Sequence, residues 1–195
     1  CNTEDPYGPR NNLFAGVDQR GCMYRTMLQF DTGVLVNDCR PLSAMLKACA
    51  VLPNRDTAGS FTPRPIMTGW DRATRWETQP ETEERFAGSA VEIDRSGWYA
   101  WDVSDAVQAW AQGRIENHGL MICSKDEEPG LVCFETVLGG MDRSSFSPAI
   151  YVRHNGEHPA PEERKRTISF FETLFAGEGT AHSEWRNSAG FRMYS

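Results

Sequence analysis

Apolar and polar residues alternate along several short stretches of the chain, which is the period of a β-strand with one buried face. The clearest stretch is residues 23–31, where Leu28 and Phe30 fall on one side and Arg25 and Gln29 on the other. Similar patterns predict strands or extended segments at 13–17, 43–52, 65–69, 90–93, 98–103, 119–124, 131–137 and 147–154, with a loop at 53–64. The 43–52 segment also contains good helix formers, but the surrounding turns and the proline that follows favour a strand.

One short helix interrupts the strands between residues 103 and 112. Val107 and Trp110 recur at helical spacing, Asp102 or Ser104 can cap the first turn, and the following glycine supplies a stop. A single short helix among many short strands predicts an all-β, antiparallel, jelly-roll-like β-sandwich.

Composition divides the chain into four parts. An N-terminal arm and first strand occupy residues 1–20, the sandwich 21–154, a Pro-rich and charged linker 155–166, and an aromatic C-terminal extension 167–195. The extension is too apolar to stay in water and too short to form its own core. We therefore expect it to be a strand donor or the start of a second domain.

The overall charge and hydropathy exclude several partners. The net charge is −7 and the pI about 5.1, which disfavours nucleic acid and acidic membrane surfaces. The mean hydropathy is −0.53 and no long apolar run is present, so no transmembrane segment is predicted. The chain begins at Cys1, which fits a removed signal peptide, a mature lipoprotein or a fragment.

Six cysteines lie at positions 1, 22, 39, 49, 123 and 133. Because none forms a Cys-x-x-Cys pair, disulfides in an oxidising compartment are favoured over zinc, with buried thiols as the alternative. Cys123 and Cys133 flank the turn of a predicted hairpin, which places them opposite each other as a disulfide or a close thiol pair. Two of the cysteines at 22, 39 and 49 can pair, and Cys1 is a candidate for an intermolecular cross-link.

No sequence motif points to catalysis: there is no Gly-x-Ser-x-Gly, no phosphate loop and no His-Glu-x-x-His. His154 and His158 are four residues apart, but Gly156 and Pro159 argue against a helical metal site. The sequence therefore predicts a non-catalytic protein without a cofactor, apart from a weak calcium candidate. The residues with suitable oxygen ligands for calcium are Asp5, Asn11 and Asn12.

Seven segments, in their order along the chain, resemble the DNRLRE domain of bacterial surface and secreted proteins over residues 11–153. They are NNLFAG (11–16), RTMLQFD (25–31), LSAML (42–46), TRW with QP (74–80), WDV with Val107 and Trp110, NHGL (117–120) and SPAIYV (147–152). The resemblance implies a jelly-roll-like module, without catalysis of its own, that is related to carbohydrate-binding modules. Ser147 departs from the pattern, because an Arg is usual there.

Three tryptophans, Trp76, Trp101 and Trp110, match positions that belong to the core of the resembled family. The remaining candidates for stacking on sugar rings are Trp70, Trp98 and Tyr99. The alternative is that all of these aromatic side chains belong to the core or its edge.

The aromatic extension has two alternative placements, because an open sheet edge accepts a strand from its own chain or from a neighbour. It either folds back on its own domain or enters the next subunit, and head-to-tail contacts that do not close make a filament. The candidate subunit-contact residues are Ile168, Phe170, Phe171, Phe175, Trp185, Phe191 and Tyr194.

Two functions follow from these features. The first is an extracellular structural subunit of a cell-surface, spore or pilus-like filament, a head-to-tail homopolymer joined by strand complementation and disulfides. The alternative is a carbohydrate-binding module of a secreted or cell-surface protein, with a polysaccharide as its partner. The aromatic extension and the Cys1 arm favour the first, since a sugar-binding module requires neither.

Overall fold

The structure is a computed structural model that describes residues 12–32, 41–52, 58–71, 74–124, 130–135, 148–154, 170–176, 186–187 and 190–194. The strands are β1 (Asn12–Val17), β2 (Met23–Leu28), β3 (Pro41–Val51), β4 (Gly59–Pro65), β5 (Val91–Ile93), β6 (Gly97–Asp102), β7 (Leu120–Ser124), β8 (Gly130–Glu135), β9 (Ala149–His154), β10 (Phe170–Ala176), β11 (Arg186–Asn187) and β12 (Gly190–Tyr194). The helix α1 spans Ser104–Ala111, and single 3-10 turns span Trp76–Thr78 and Glu84–Phe86.

The strands form one curled sheet in the hydrogen-bonded order β12-β9-β3-β8-β1-β2-β7-β4-β5, while β6 pairs with β3 and β10 with β2. All of these pairs are antiparallel except β12 with β9. The sheet curls around one main core cluster, which includes residues of β3, β6, β7, β8 and β9. The predicted all-β sandwich-like fold with one short helix is confirmed.

Trp101 connects three strands through the main core. Its side chain is fully buried, and its indole Nε1 donates to the carbonyl oxygen of Phe61 at 2.9 Å. The Trp101 and Phe134 rings meet edge to face, with their centroids 5.9 Å apart. Since Trp101 lies on β6, Phe61 on β4 and Phe134 on β8, this contact connects strands that are distant along the chain.

The helix lies close to its predicted range, but its N-cap residue is Val103 and neither Asp102 nor Ser104. Asp102 Oδ1 accepts a hydrogen bond from the backbone N of Ser104 at 2.9 Å, which satisfies a free amide of the first turn. Ser104 Oγ in turn accepts from the backbone N of Ala44, so the first turn ties α1 to β3. Gly113 ends the helix with φ of +64°, a conformation that favours glycine.

Strand β4 corrects the loop predicted at 53–64. Its two prolines, Pro63 and Pro65, are buried and pair with β7, while the pairing with the short β5 stops at Phe61. Because no strand hydrogen-bonds to Pro63 and Pro65 on the β5 side, their missing amides can point that way without loss of a ladder bond. The two prolines are therefore the reason that the sequence analysis predicted a loop where the structure has a strand.

The hairpin predicted from β7 and β8, and with it the Cys123–Cys133 disulfide, is wrong. Strand β7 pairs with β2 and β4, whereas β8 pairs with β1 and β3, so two strands of the sheet separate the two cysteines. Cys123 carries a free thiol. The physical reason is that both edges of each strand are satisfied by more distant partners, which adjacency along the chain does not reveal.

The described strands of the C-terminal extension pair within their own chain. β10 lies antiparallel to β2, with Phe171 opposite Leu28, and β12 lies parallel to β9, with Phe191 opposite Ile150. The prediction that these strands join neighbouring subunits therefore receives no support from the pairing. The candidate contacts Phe170, Phe175 and Tyr194 also lie on β10 or β12, whereas Ile168, Trp185 and the linker 155–166 lie outside the described residues.

Candidate functional site

The outer side of strands β2, β7 and β4 is a covered face. Met27, Met121 and Cys123 project from this face into a second apolar cluster, which is separate from the main core. Ile66 completes the cluster, and Trp70 and Trp76 pack against it. Residues 66–71 and 74–79, called here the covering segment, therefore contribute a layer on this face.

Polar contacts hold the covering segment in place. Trp70 donates through Nε1 to the carbonyl oxygen of His118 at 2.7 Å. The Arg25 guanidinium lies 4.8 Å from the centre of the Trp76 ring and donates to the side-chain carbonyl of Gln79. These tryptophans are therefore committed to packing, although Trp70 is a predicted sugar-stacking residue.

The outer side of strands β6, β3 and β9, called here the open face, carries several exposed side chains in the described part of the chain, although Cys49 and Ala149 on the same side are buried. The inward residues of these strands, such as Leu46, Trp101 and Ile150, belong to the main core, so the alternate residues point away from it. Trp98 is one of them, and 51% of its surface is exposed. Among the described residues, Leu42 is the other large hydrophobic side chain that is exposed.

Charged and aromatic side chains accompany Trp98 on the open face. Lys47, Asp102 and Arg153 are exposed, and Tyr151 is half-buried. The Lys47 ammonium lies 4.7 Å from the centre of the Tyr151 ring, at cation–π distance. The open face thus combines an exposed indole with donors and an acceptor for hydrogen bonds, which is the composition of a surface that binds polar ligands with apolar faces.

The sequence profile of carbohydrate-binding module family 96 matches residues 2–136, more than two thirds of the chain. The chain belongs to carbohydrate-binding module family 96. The comparison with curated proteins finds no match. The predicted relation to carbohydrate-binding modules is thereby confirmed, whereas a DNRLRE domain as such is not shown.

Tyr99, the third predicted stacking residue, points to the other side of its strand in this family 96 module. Its side chain packs against the main core. Its hydroxyl donates to the carbonyl oxygen of Arg95 at 2.9 Å. Of the three predicted stacking residues, Trp98 is therefore the one that the open face presents to solvent.

The sequence analysis missed Lys47 and Tyr151 as members of a site. They lie on strands β3 and β9, far apart along the chain, and only the pairing of these strands brings them together. The alternation offered a signal, because the inward Leu46 and Ile150 place their sequence neighbours on the outer side. What the sequence did not show was that β3 and β9 are adjacent.

The remaining predictions concern metal ions and cysteines. Within the described ranges, no group of three His, Cys, Asp or Glu side chains is arranged to hold a metal ion. The calcium candidates Asp5 and Asn11 and the cross-link candidate Cys1 lie outside those ranges, as does the side chain of Asn12. Cys22 is disulfide-bonded, and its partner is not among the described residues.

No helix in the described part of the module is long and apolar enough to span a bilayer.

Proposed function

We propose that this module is a non-catalytic polysaccharide-binding unit of a secreted or cell-surface protein, and that the open face holds the sugar chain. The observation that carries the proposal is the half-exposed indole of Trp98, on a sheet face that the covering segment leaves open, in a chain of a carbohydrate-binding family.

The chemistry of the open face suits sugars. The apolar C–H faces of a pyranose ring pack on a flat indole, while its hydroxyl groups need donors and acceptors around that contact. Lys47 supplies three N–H donors and Arg153 supplies five, and the Asp102 carboxylate accepts. All three side chains are exposed, although Asp102 Oδ1 already accepts from Ser104 and the Lys47 ammonium already contacts the Tyr151 ring.

The function that the sequence analysis favoured, a filament subunit, is not proposed. It needs the strands of the C-terminal extension to enter a neighbouring molecule, yet the described strands β10 and β12 already pair with β2 and β9 of the same chain. The extracellular location proposed here is supported by the family and by the disulfide at Cys22, because disulfides persist in oxidising compartments.

Affinity electrophoresis of the full chain tests the proposal, in gels that contain xylan, mannan, laminarin, pectin or alginate, with pull-down on cellulose and chitin. We expect at least one polysaccharide to retain the protein. Trp98→Ala should weaken that binding about tenfold, which corresponds to about 1.4 kcal/mol of lost stacking. The matched control is Phe86→Ala, which removes a half-buried aromatic ring that the Arg114 guanidinium contacts.

Two results would contradict the proposal. One is that no polysaccharide of the panel retains the wild-type chain. The other is that Trp98→Ala binds as tightly as the wild type, which would move the site away from the open face.

A further inference from the structure

Cys22 is buried and disulfide-bonded, and its position in the fold restricts the cysteine to which it is bonded. It follows the turn between β1 and β2, where Val17 stands opposite Met23. Its backbone N donates to Asp18 Oδ1, and its carbonyl oxygen accepts from the Asp18 backbone N, both at 2.9 Å. The turn therefore fixes the place of the bonded sulfur.

The chain leaves two candidates for the other half of the bond. Of its six cysteines, Cys49, Cys123 and Cys133 are thiols. Cys1 and Cys39 remain, and both lie outside the described residues. The nearest described residues decide between them, because the chain from each of those residues to its cysteine has a limited reach.

Cys39 has to lie close to the start of β3. It precedes Pro41, the first residue of that strand, by two residues. With about 3.8 Å between consecutive Cα atoms, the Cα of Cys39 lies within about 7.6 Å of that of Pro41. A disulfide joins Cα atoms that are at most about 7 Å apart. A bond from Cys22 to Cys39 would therefore require Cys22 and Pro41 to lie within about 15 Å of each other.

Pro41 and Cys22 lie at opposite ends of the sandwich. The start of β3 is at the helix end, because the backbone N of Ala44 donates to the side chain of the first residue of α1. The chain that follows β2 is at the same end, because the carbonyl oxygen of Phe30 accepts from Nδ2 of Asn117, shortly after α1. Cys22 precedes Phe30 by eight residues, most of them in β2. At about 3.3 Å per residue, Cys22 is about 26 Å from the helix end.

The register between the strands gives the same answer. Ten residues of β3 separate Pro41 from Val51, which pairs with β8. Since β8 runs antiparallel to β3, its first residue, Gly130, lies three residues farther still from Pro41. Gly130 stands opposite Val17, next to the turn that holds Cys22. Measured along the strands, this separation is about 40 Å, so the cysteine two residues before β3 is out of reach.

Cys1 has the reach that Cys39 lacks. It precedes Asn12, the first residue of β1, by eleven residues, which span up to about 38 Å. From Asn12, β1 runs about 17 Å to Val17 beside the turn. We propose that Cys1 and Cys22 form an intrachain disulfide, which fastens the first residues of the chain to the turn between β1 and β2.

The bond forms by thiol–disulfide exchange. Two S–H bonds break and one S–S bond forms, while two protons and two electrons pass to the disulfide of a thiol oxidoreductase, which becomes a dithiol. The Cys1 sulfur is then used within its own chain and does not cross-link a neighbouring molecule. The closed loop contains β1, which pairs with β8 and β2, so the bond restricts the unfolded chain around a strand with partners on both edges.

Peptide mapping without reduction tests the proposal on the full wild-type chain, secreted through an oxidising compartment. Thiols are first alkylated in denaturant, and trypsin then releases residues 1–10 and 21–25 as separate stretches of chain. We expect these two peptides as one linked pair that separates on reduction, an alkylated Cys39, and a monomer on a non-reducing gel. A link from 21–25 to the peptide that contains Cys39, or a Cys1 that is alkylated or joined to a second copy, would overturn the proposal.

Serine variants measure what the bond contributes to stability. Cys1→Ser should lower the Tm by about 6–12 °C, because the unfolded chain regains the freedom of a loop of about 20 residues. Cys22→Ser should lower the Tm by at least as much, and the double variant should melt like Cys22→Ser, since both changes remove the same bond. Cys39→Ser is the matched control and should keep the Tm and the linked peptides of the wild type. A Cys1→Ser variant that melts like the wild type, or a Cys39→Ser variant that loses the linked pair, would contradict the proposal.

Discussion

The two outer faces of the sheet both carry tryptophan, and they differ in what lies above it. On the covered face, Trp70 and Trp76 belong to the covering segment and pack on a buried apolar cluster. On the open face, Trp98 comes from a strand of the sheet itself and is half exposed. The comparison shows that the number of tryptophans says little about binding, whereas the layer in which each one lies decides its role.

The strands explain why one face is covered. The run of Leu120, Met121, Ile122 and Cys123 in β7 is apolar at every position, so both sides of this strand need burial. The strands of the open face alternate over much of their length, with the charged Lys47 on the outer side, although Cys49 and Ala149 on that side are buried. Water satisfies those positions, and no second layer is required over them.

The largest expected effect is on stability, at the centre of the covered face. Ile66 is fully buried in the second cluster, so Ile66→Ala should lower the free energy of unfolding by about 2–5 kcal/mol, measured by urea denaturation. Trp98→Ala on the open face removes a larger side chain, but only half of its surface is buried, so it should lower the free energy of unfolding by about 1–2 kcal/mol. Equal losses would show that Trp98 is also a packing residue, and the comparison would fail.

A smaller effect separates two cation–π pairs, one on each face. Arg25→Met keeps the alkyl stem but removes the guanidinium from Trp76 and from Gln79, and should cost about 1 kcal/mol of stability. Lys47→Met removes the ammonium from Tyr151 on the open face and should cost less than about 0.5 kcal/mol, since Lys47 is exposed. If the Lys47 variant loses as much stability as the Arg25 variant, the open face is not solvated as described.

The elements that follow a single local rule could be predicted from the sequence. Strand β3 and helix α1 lie close to their predicted ranges, because alternation and helical spacing are properties of neighbouring residues. Strand β4 was missed since its prolines resemble a loop. The β7–β8 hairpin was wrong because the identity of a strand's partner depends on the whole sheet, and no pattern within residues 119–137 contains it.

The residues of the candidate site likewise divide into those that the sequence could predict and those that only the fold brings together. Trp98 could be named from the sequence because it is an aromatic residue on a predicted strand, without a role in the resembled core. Its exposure, and the inward direction of Tyr99, depend on which side of β6 faces the main core. The link to Lys47 and Tyr151 required the pairing of β3 with both β6 and β9, and the paired residues of β3 and β9 lie more than 100 residues apart along the chain.

The smallest expected effect is the pH dependence of stability that Cys123 contributes under the covering segment. Burial raises the pKa of the Cys123 thiol, although the nearby Arg25 and Arg64 guanidiniums act in the opposite direction. Above the unfolded pKa, about 8.5, the thiol ionises in the unfolded chain and stays protonated in the folded one, so its contribution to stability is lost as the pH rises. By pH 9 this loss should be less than about 1 kcal/mol relative to Cys123→Ala, measured by urea denaturation between pH 7 and 9.5. Parallel curves of unfolding free energy against pH for the two proteins, or rapid alkylation of Cys123 in the native chain, would show that water reaches the covered face. The two faces would then differ less than their tryptophans indicate.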